Sequence, residues 1–339
     1  MTRNEDKTPA RRTPDVAASP ALPQLAPARN GGLPLDTGWI ASTRVNRPAA
    51  ERHVAGLAAR RPADPGTEAA WLLRAVGLID LTTLSGDDTP GRVRQLCAKA
   101  RNPLRADLRA ALGAGPVTTA AICVYHEMIA PALAALEGSG LPIAAVSTGF
   151  PAGLSPFSTR LAEIEASVAA GASEIDIVIS RRHVLLADWQ ALYDEIAAFR
   201  AACGPTHMKA ILATGELGTL TNVARASLVA MMAGADFIKT STGKEPVNAT
   251  LPVGLTMCRM IRAYREATGV SVGLKPAGGI SAASDALDWL GLVGEELGPR
   301  WQEPALFRFG ASSLLGAIER RLDEIAFGAG STPRRHAAG

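Results

Sequence analysis

Lys209, Lys239, Lys244 and Lys275 fall within 67 residues of a chain that otherwise writes positive charge as arginine, with 29 Arg and six Lys in all. Arginine keeps its proton in a protein, whereas burial and neighbouring positive charge can neutralise a lysine amine. A neutral amine attacks carbonyls and forms an imine. Lys239 sits in DFIKTST and Lys275 in GLKPAGG, both inside apolar runs, and Asp176 interrupts the apolar run EIDIVIS. Two amines on neighbouring strands repel each other's charge. Moving one of them from about 10.4 to about 7 corresponds to roughly 4–5 kcal/mol. A carboxylate at Asp176 then moves protons through water.

A second set of residues points to an anion. STGK (241–244), PAGG (276–279) and FGASS (309–313) place small residues directly after three consecutive apolar runs. Backbone N–H groups at glycine-rich turns and helix N-termini cradle phosphate. Each glycine alone is a helix cap or a tight turn, but three such turns at consecutive strand ends predict a phosphate site. STGK is not the end of a P-loop, because Ile238 stands where the first glycine of that motif belongs.

The elements that must position these residues repeat. Apolar or β-branched runs occur at 79–84, 118–125, 142–150, 174–180, 207–214, 237–242, 271–279 and 306–313, separated by segments of helical periodicity such as RLAEIEASVAAGA. Runs apolar on both faces imply a parallel sheet covered by helices. Eight such units in about 260 residues predict an α/β fold, a (β/α)8 TIM barrel, whose active site lies at the C-terminal strand ends. No GxGxxG follows the first strand, which argues against an open dinucleotide-binding sheet. Asp80, Thr82, Cys123, Asp176, Lys209, Lys239, Thr240, Thr242 and Lys275 then fall at strand ends or on inward positions. Buried lysines need a partner or must lose their protons. The competing reading is an ion network that only stabilises the barrel, and for Lys209 and Asp80 taken singly that alternative stays open. Taken together, the lysine pair and the aspartate are the constellation of a class I aldolase.

Composition bounds the rest. The chain has 339 residues, 47% of them hydrophobic, with no apolar run near the roughly 20 residues a bilayer span needs. The N-terminus lacks the apolar stretch of a secretory signal. Four dispersed cysteines and five dispersed histidines show no metal-ligand spacing, so no metal, no cofactor and a reducing, cytoplasmic setting are expected. The net charge of +3 belongs to residues 1–65, which carry +4, so the barrel itself presents no basic face and no nucleic-acid or membrane partner is expected. Residues 1–46, rich in Pro, Ala and Arg, read as a disordered extension. Residues 47–327 read as the barrel with leading helices, and 328–339 as a flexible tail.

With DLTTL, DFIKTSTGK and KPAGG on the page, the chain resembles the deoxyribose-phosphate aldolase family from about Asn46 to Phe327. It is close to the longer animal-type members, including the NRPA and TLSGDDT segments. The resemblance implies reversible cleavage of 2-deoxy-D-ribose 5-phosphate to acetaldehyde and D-glyceraldehyde 3-phosphate. It implies Lys239 as the Schiff-base lysine, Lys275 as the neighbour that perturbs its pKa, and Asp176 as a member of the proton relay. Gly243, Gly278, Gly279, Gly310, Ser312 and Ser313 would hold the phosphate. Asp80, Thr82 and Thr242 would line the sugar pocket, with Cys123 nearby and Lys244 as a charged substrate partner. A homo-oligomer, dimer or tetramer, is expected.

Two departures stand out. The family commonly has arginine after PAGGI, where this chain has Ser281. Some bacterial members end in a tyrosine that assists proton transfer, whereas this chain ends HAAG. Two other functions compete: a sugar-phosphate isomerase on the same phosphate site, which does not account for a lysine pair, and a nucleic-acid-binding arm in residues 1–65.

Overall fold

Short β-branched runs and well-capped helices alternate along the chain, and the computed structural model, which describes residues 29–328, realises both. The strands are β1 (Ile79–Thr82), β2 (Ala121–Val124), β3 (Ile143–Val146), β4 (Glu174–Val178), β5 (His207–Ile211), β6 (Phe237–Lys239), β7 (Gly273–Lys275) and β8 (Phe309–Ala311). All are parallel, in the order β7-β6-β5-β4-β3-β2-β1-β8. Bridges Leu274↔Phe307 and Ala277↔Gly310 join β7 to β8 and close the circle. The eight expected runs thus each hold one strand of a (β/α)8 barrel.

Alternation along each strand sorts its side chains into two layers. Ile79, Leu81, Ile122, Ile143, Ile175, Ile177, Met208, Ile238 and Leu274 belong to the large core between sheet and helices. Cys123, Ala144 and Val146 form a separate small cluster, touched by Leu84, Tyr125 and Phe150. At the lumen floor Phe237 faces Gly273, where an added Cβ would stand 2.4 Å from the ring.

Three leading helices precede the barrel: α1 (Thr37–Ser42), α2 (Arg47–Ala55) and α3 (Pro65–Val76). Each begins at a side chain that accepts an otherwise unpaired backbone N–H: Asp36 from Trp39, Asn46 from Ala49 and Asp64 from Thr67. Pro48 and Pro65 occupy the first turns of α2 and α3, where a missing N–H costs nothing.

The expected disordered extension over 1–46 therefore needs correction in its last part. Residues 29–46 follow the barrel surface and include α1. Asn30 is buried, donating its side-chain amide to Met231 and Ala235 carbonyls while its backbone N–H donates to Asp236. Ile40 is buried in the main core. The signal was local and easily missed: isolated polar and apolar anchors rather than a periodic run. The remainder of that expectation, and most of the 328–339 tail, lie outside the described residues.

Candidate active site

Period-two alternation carries Asp80, Glu174, Asp176, Lys209, Lys239 and Lys275 into the lumen, where none exceeds 5% exposure. Register then sets their neighbours. Asp176 is the partner of Lys209 across β4 and β5, and Lys239 is the partner of Lys275 across β6 and β7. Arg308, one residue before β8, enters the same space on the face it shares with Gly310, whose lack of a side chain leaves room for Lys275. A Cβ at Gly310 would lie 3.2 Å from Lys275 Cε and 2.8 Å from Ala277 Cβ.

The contacts are short and numerous. Lys239 Nζ and Lys275 Nζ each stand 2.8 Å from Asp176 Oδ2, and Lys209 Nζ stands 2.8 Å from Asp176 Oδ1. Lys275 Nζ also reaches Asp80 Oδ2 at 2.5 Å, and Lys209 Nζ reaches Glu174 Oε2 at 2.5 Å. Arg308 bridges Asp80 Oδ1 at 2.6 Å and Glu174 Oε1 at 2.9 Å.

This environment treats the lysines differently. Burial pushes each amine toward its neutral form. For Lys275 the carboxylates Asp176 and Asp80 outweigh burial and raise its pKa; for Lys209 Asp176 and Glu174 do the same. At Lys239 burial wins over Asp176, with Lys275 adding to the effect, so its pKa is lowered. Burial disfavours the Asp176 carboxylate as well, but Lys209, Lys239 and Lys275 together hold its pKa well below the usual range. The two amines are shifted in opposite directions, and at Lys239 desolvation is a larger influence than repulsion by Lys275.

Above Lys239 a cavity of about 380 Å³ opens at the C-terminal end of the barrel. Its wall includes Thr82, Thr242, Lys244, Gly278, Gly279, Gly310, Ser312 and Ser313, and its floor includes Lys239. Gly278 and Gly279 have φ of +76° and +77°, a region that favours glycine. The helix Leu314–Phe327 starts directly after Ser313, so its N-terminus faces this end of the barrel. Lys244 is exposed at the rim.

Three expected residues sit elsewhere or serve differently. Asp80 does not line the cavity; it is fully buried beneath it and joined to Lys275 and Arg308. Cys123 is likewise buried below the cavity, and burial raises its thiol pKa. The Gly243 amide, expected to meet phosphate, instead donates to Glu245 Oε2 at 3.1 Å, and Thr242 gives Glu245 both its N–H and its hydroxyl. Glu245 is buried and also faces Arg181 at 3.5 Å. Gly243 nonetheless lines the cavity, with its amide engaged by a carboxylate of the same loop.

Glu174, Arg308, Glu245 and Arg181 were not singled out from the sequence. Glu174 and Arg308 were within reach of the period-two rule, since each lies two residues before an expected site residue. Glu245 and Arg181 carried no such signal.

Residues 74–298 match the model of the DeoC/LacD family aldolases. The deoxyribose-phosphate aldolase of Homo sapiens is 55% identical over 299 residues, covering 87% of this chain and 94% of the relative. That of Mus musculus is 56% identical over 295 residues, covering 86% and 93%. Among solved structures, the tetrameric deoxyribose phosphate aldolase of Aeropyrum pernix superposes with a TM-score of 0.56 at 22% identity, covering 79% of this chain and 96% of that one. At that identity the likeness concerns the fold.

Proposed function

The chain belongs to the DeoC/LacD family of aldolases, and from that premise we propose how its own residues carry out a class I aldol cleavage of 2-deoxy-D-ribose 5-phosphate. The observation that carries the reading is the Lys239 amine. It lies at the floor of the cavity, its pKa is lowered, and a carboxylate and a second amine stand beside it.

Neutral Lys239 adds to C1 of the open-chain sugar, and loss of water leaves an iminium. The C3 hydroxyl gives up its proton and the C2–C3 bond breaks. Its electrons move toward the iminium nitrogen, so D-glyceraldehyde 3-phosphate departs and an enamine stays on Lys239. Protonation at C2 and hydrolysis then release acetaldehyde and regenerate the amine. Asp176 sits within 2.8 Å of Nζ and serves as the proton carrier through water. Lys275, held charged by Asp80 and Asp176, places fixed positive charge where the carbinolamine oxygen develops.

We assign the phosphate to Gly278, Gly279, Gly310, Ser312 and Ser313 with Lys244 at the rim, and the sugar hydroxyls to Thr82 and Thr242. The sites require no metal or cofactor. A homo-oligomer, dimer or tetramer, is our reading of the assembly; Leu154, Leu185 and Leu186 are exposed on the described surface and support it. Light scattering that returned a monomer would overturn it. The four cysteines, all free and buried, support a reducing compartment such as the cytoplasm.

Incubation with acetaldehyde and borohydride tests the chemistry. The expected result is a stable two-carbon adduct on the peptide holding Lys239, together with cleavage of the phosphorylated sugar. No adduct at Lys239, or full cleavage by Lys239→Leu, overturns the proposal.

A further inference from the structure

Three carboxylates and three cations in the lumen form a closed ring in which charges alternate. Arg308 joins Asp80 Oδ1, Asp80 Oδ2 joins Lys275, and Lys275 joins Asp176 Oδ2. Asp176 Oδ1 joins Lys209, Lys209 joins Glu174 Oε2, and Glu174 Oε1 returns to Arg308. Each cation closely touches two of the carboxylates, and each of the six carboxylate oxygens takes at least one cation of the ring; longer contacts cross it, Lys209 to Asp80 Oδ2 at 3.8 Å and Arg308 to Glu174 Oε2 at 3.5 Å. The ring is neutral as it stands. Lys239 hangs on Asp176 Oδ2 as a seventh member, and no carboxylate is left over for it.

We propose that this ring, closed by Arg308, Glu174 and Lys209, is what keeps Lys239 uncharged, and that these three are positioning residues for the Schiff-base step. The proposal rests on the aldolase reading above. Its physical basis is the expense of a net charge inside a protein: a buried group neutralises itself where no partner balances it. A protonated Lys239 would bring the lumen to one net positive charge. A neutral Lys239 leaves it at zero.

Other titratable groups near Lys239 do not alter the count. The Cys123 thiol of β2 is held in its neutral form by burial. His207, beside Glu174 at the lumen floor, is pushed toward neutrality by burial. In the loop after β6, Lys244 is exposed to water and Glu245 is engaged with Thr242, Gly243 and Arg181. The lowered pKa of Lys239, opposite in direction to that of Lys209 and Lys275, agrees with the ring's accounting.

The test is the rate of borohydride trapping of acetaldehyde on Lys239 between pH 6 and 10. Arg308→Gln removes one positive charge and leaves the ring at −1, so Lys239 should now hold its proton. The ascending limb should move up by about one pH unit or more, and trapping at pH 7 should fall about tenfold or more. Glu174→Gln combined with Arg308→Gln returns the ring to neutrality, and the limb should return to near its wild-type position. Rescue by a second lesion is not expected if Arg308 only supports the fold. An unmoved limb in folded Arg308→Gln, or a double variant no better than the single one, overturns the proposal. If Arg308→Gln does not fold, Lys209→Gln with and without Glu174→Gln poses the same question. Absence of trapping in the wild-type protein would instead overturn the Schiff-base reading itself.

Discussion

Lys239 and Lys275 are register partners on adjacent strands, and their amines meet at one oxygen of Asp176, 2.8 Å from each. Equal distance does not give equal charge. Lys275 has a second carboxylate, Asp80, at 2.5 Å, whereas Lys239 faces the cavity with Asp176 alone. The shared oxygen therefore stands between an amine whose pKa is lowered and one whose pKa is raised.

Removing that oxygen's charge should harm both fold and reaction. Asp176→Asn leaves buried cations without a partner and is expected to destabilise the protein by about 3–5 kcal/mol. In the protein that remains folded, cleavage should fall by roughly 10²–10⁴ through loss of the proposed proton carrier. Urea titration and steady-state kinetics on the same preparation measure the two effects.

The proposed phosphate cradle makes a separate prediction. A Cβ at Gly278 would lie 2.7 Å from the Asn248 side chain, at a backbone angle that costs a non-glycine residue about 1–2 kcal/mol. Gly278→Ala should raise KM for the phosphorylated sugar about tenfold or more. Activity on an unphosphorylated analogue should change much less, and comparing the two substrates checks this.

Ser281 lines the cavity and is exposed. Ser281→Arg should tighten the phosphorylated substrate about fivefold, the equivalent of about 1 kcal/mol for an exposed ion pair. The gain should fade as salt is raised from low ionic strength, because such a pair is screened.

Acid should loosen the barrel from inside. Burial opposes ionisation of Asp80, Glu174 and Asp176, but the ring's cations outweigh it and all three pKa values are lowered. A carboxyl with a folded pKa below its unfolded value binds fewer protons folded than unfolded. Its stabilisation is complete above the ordinary values of 3.8 for Asp and 4.5 for Glu, and is lost as pH falls below them. Urea midpoints should be nearly flat from pH 7 to 5.5 as far as this ring is concerned and fall steeply below pH 4.5.

Gly273→Ala should destabilise the barrel without touching the cavity. The new methyl meets the Phe237 ring at 2.4 Å, within a lumen floor that has no room to yield, and overpacking of this kind costs about 1–3 kcal/mol. A lowered thermal midpoint with an unchanged KM is the expected pair of results.

The sequence by itself determined the eight strand–helix units, because apolar runs and helical periodicity are local properties of contiguous residues. It also determined the inward placement of Asp176, Lys239 and Lys275, since a period of two decides which face each one takes. The helix starts at Asn46 and Asp64 were equally local, although α1 and the anchoring of Asn30 depend on surfaces contributed by residues some 200 positions later.

What only the tertiary structure decided is which charge balances which. Glu174 and Arg308 are 134 residues apart, and their pairing exists only because β8 closes the barrel beside β1. Asp80 moved from the expected sugar pocket to the ring for the same reason. Glu245 took the Gly243 amide because one loop folded back on itself within three residues. Ionisation in a buried site depends on distance and on the local count of charge, and both are settled only when the strands have been brought together.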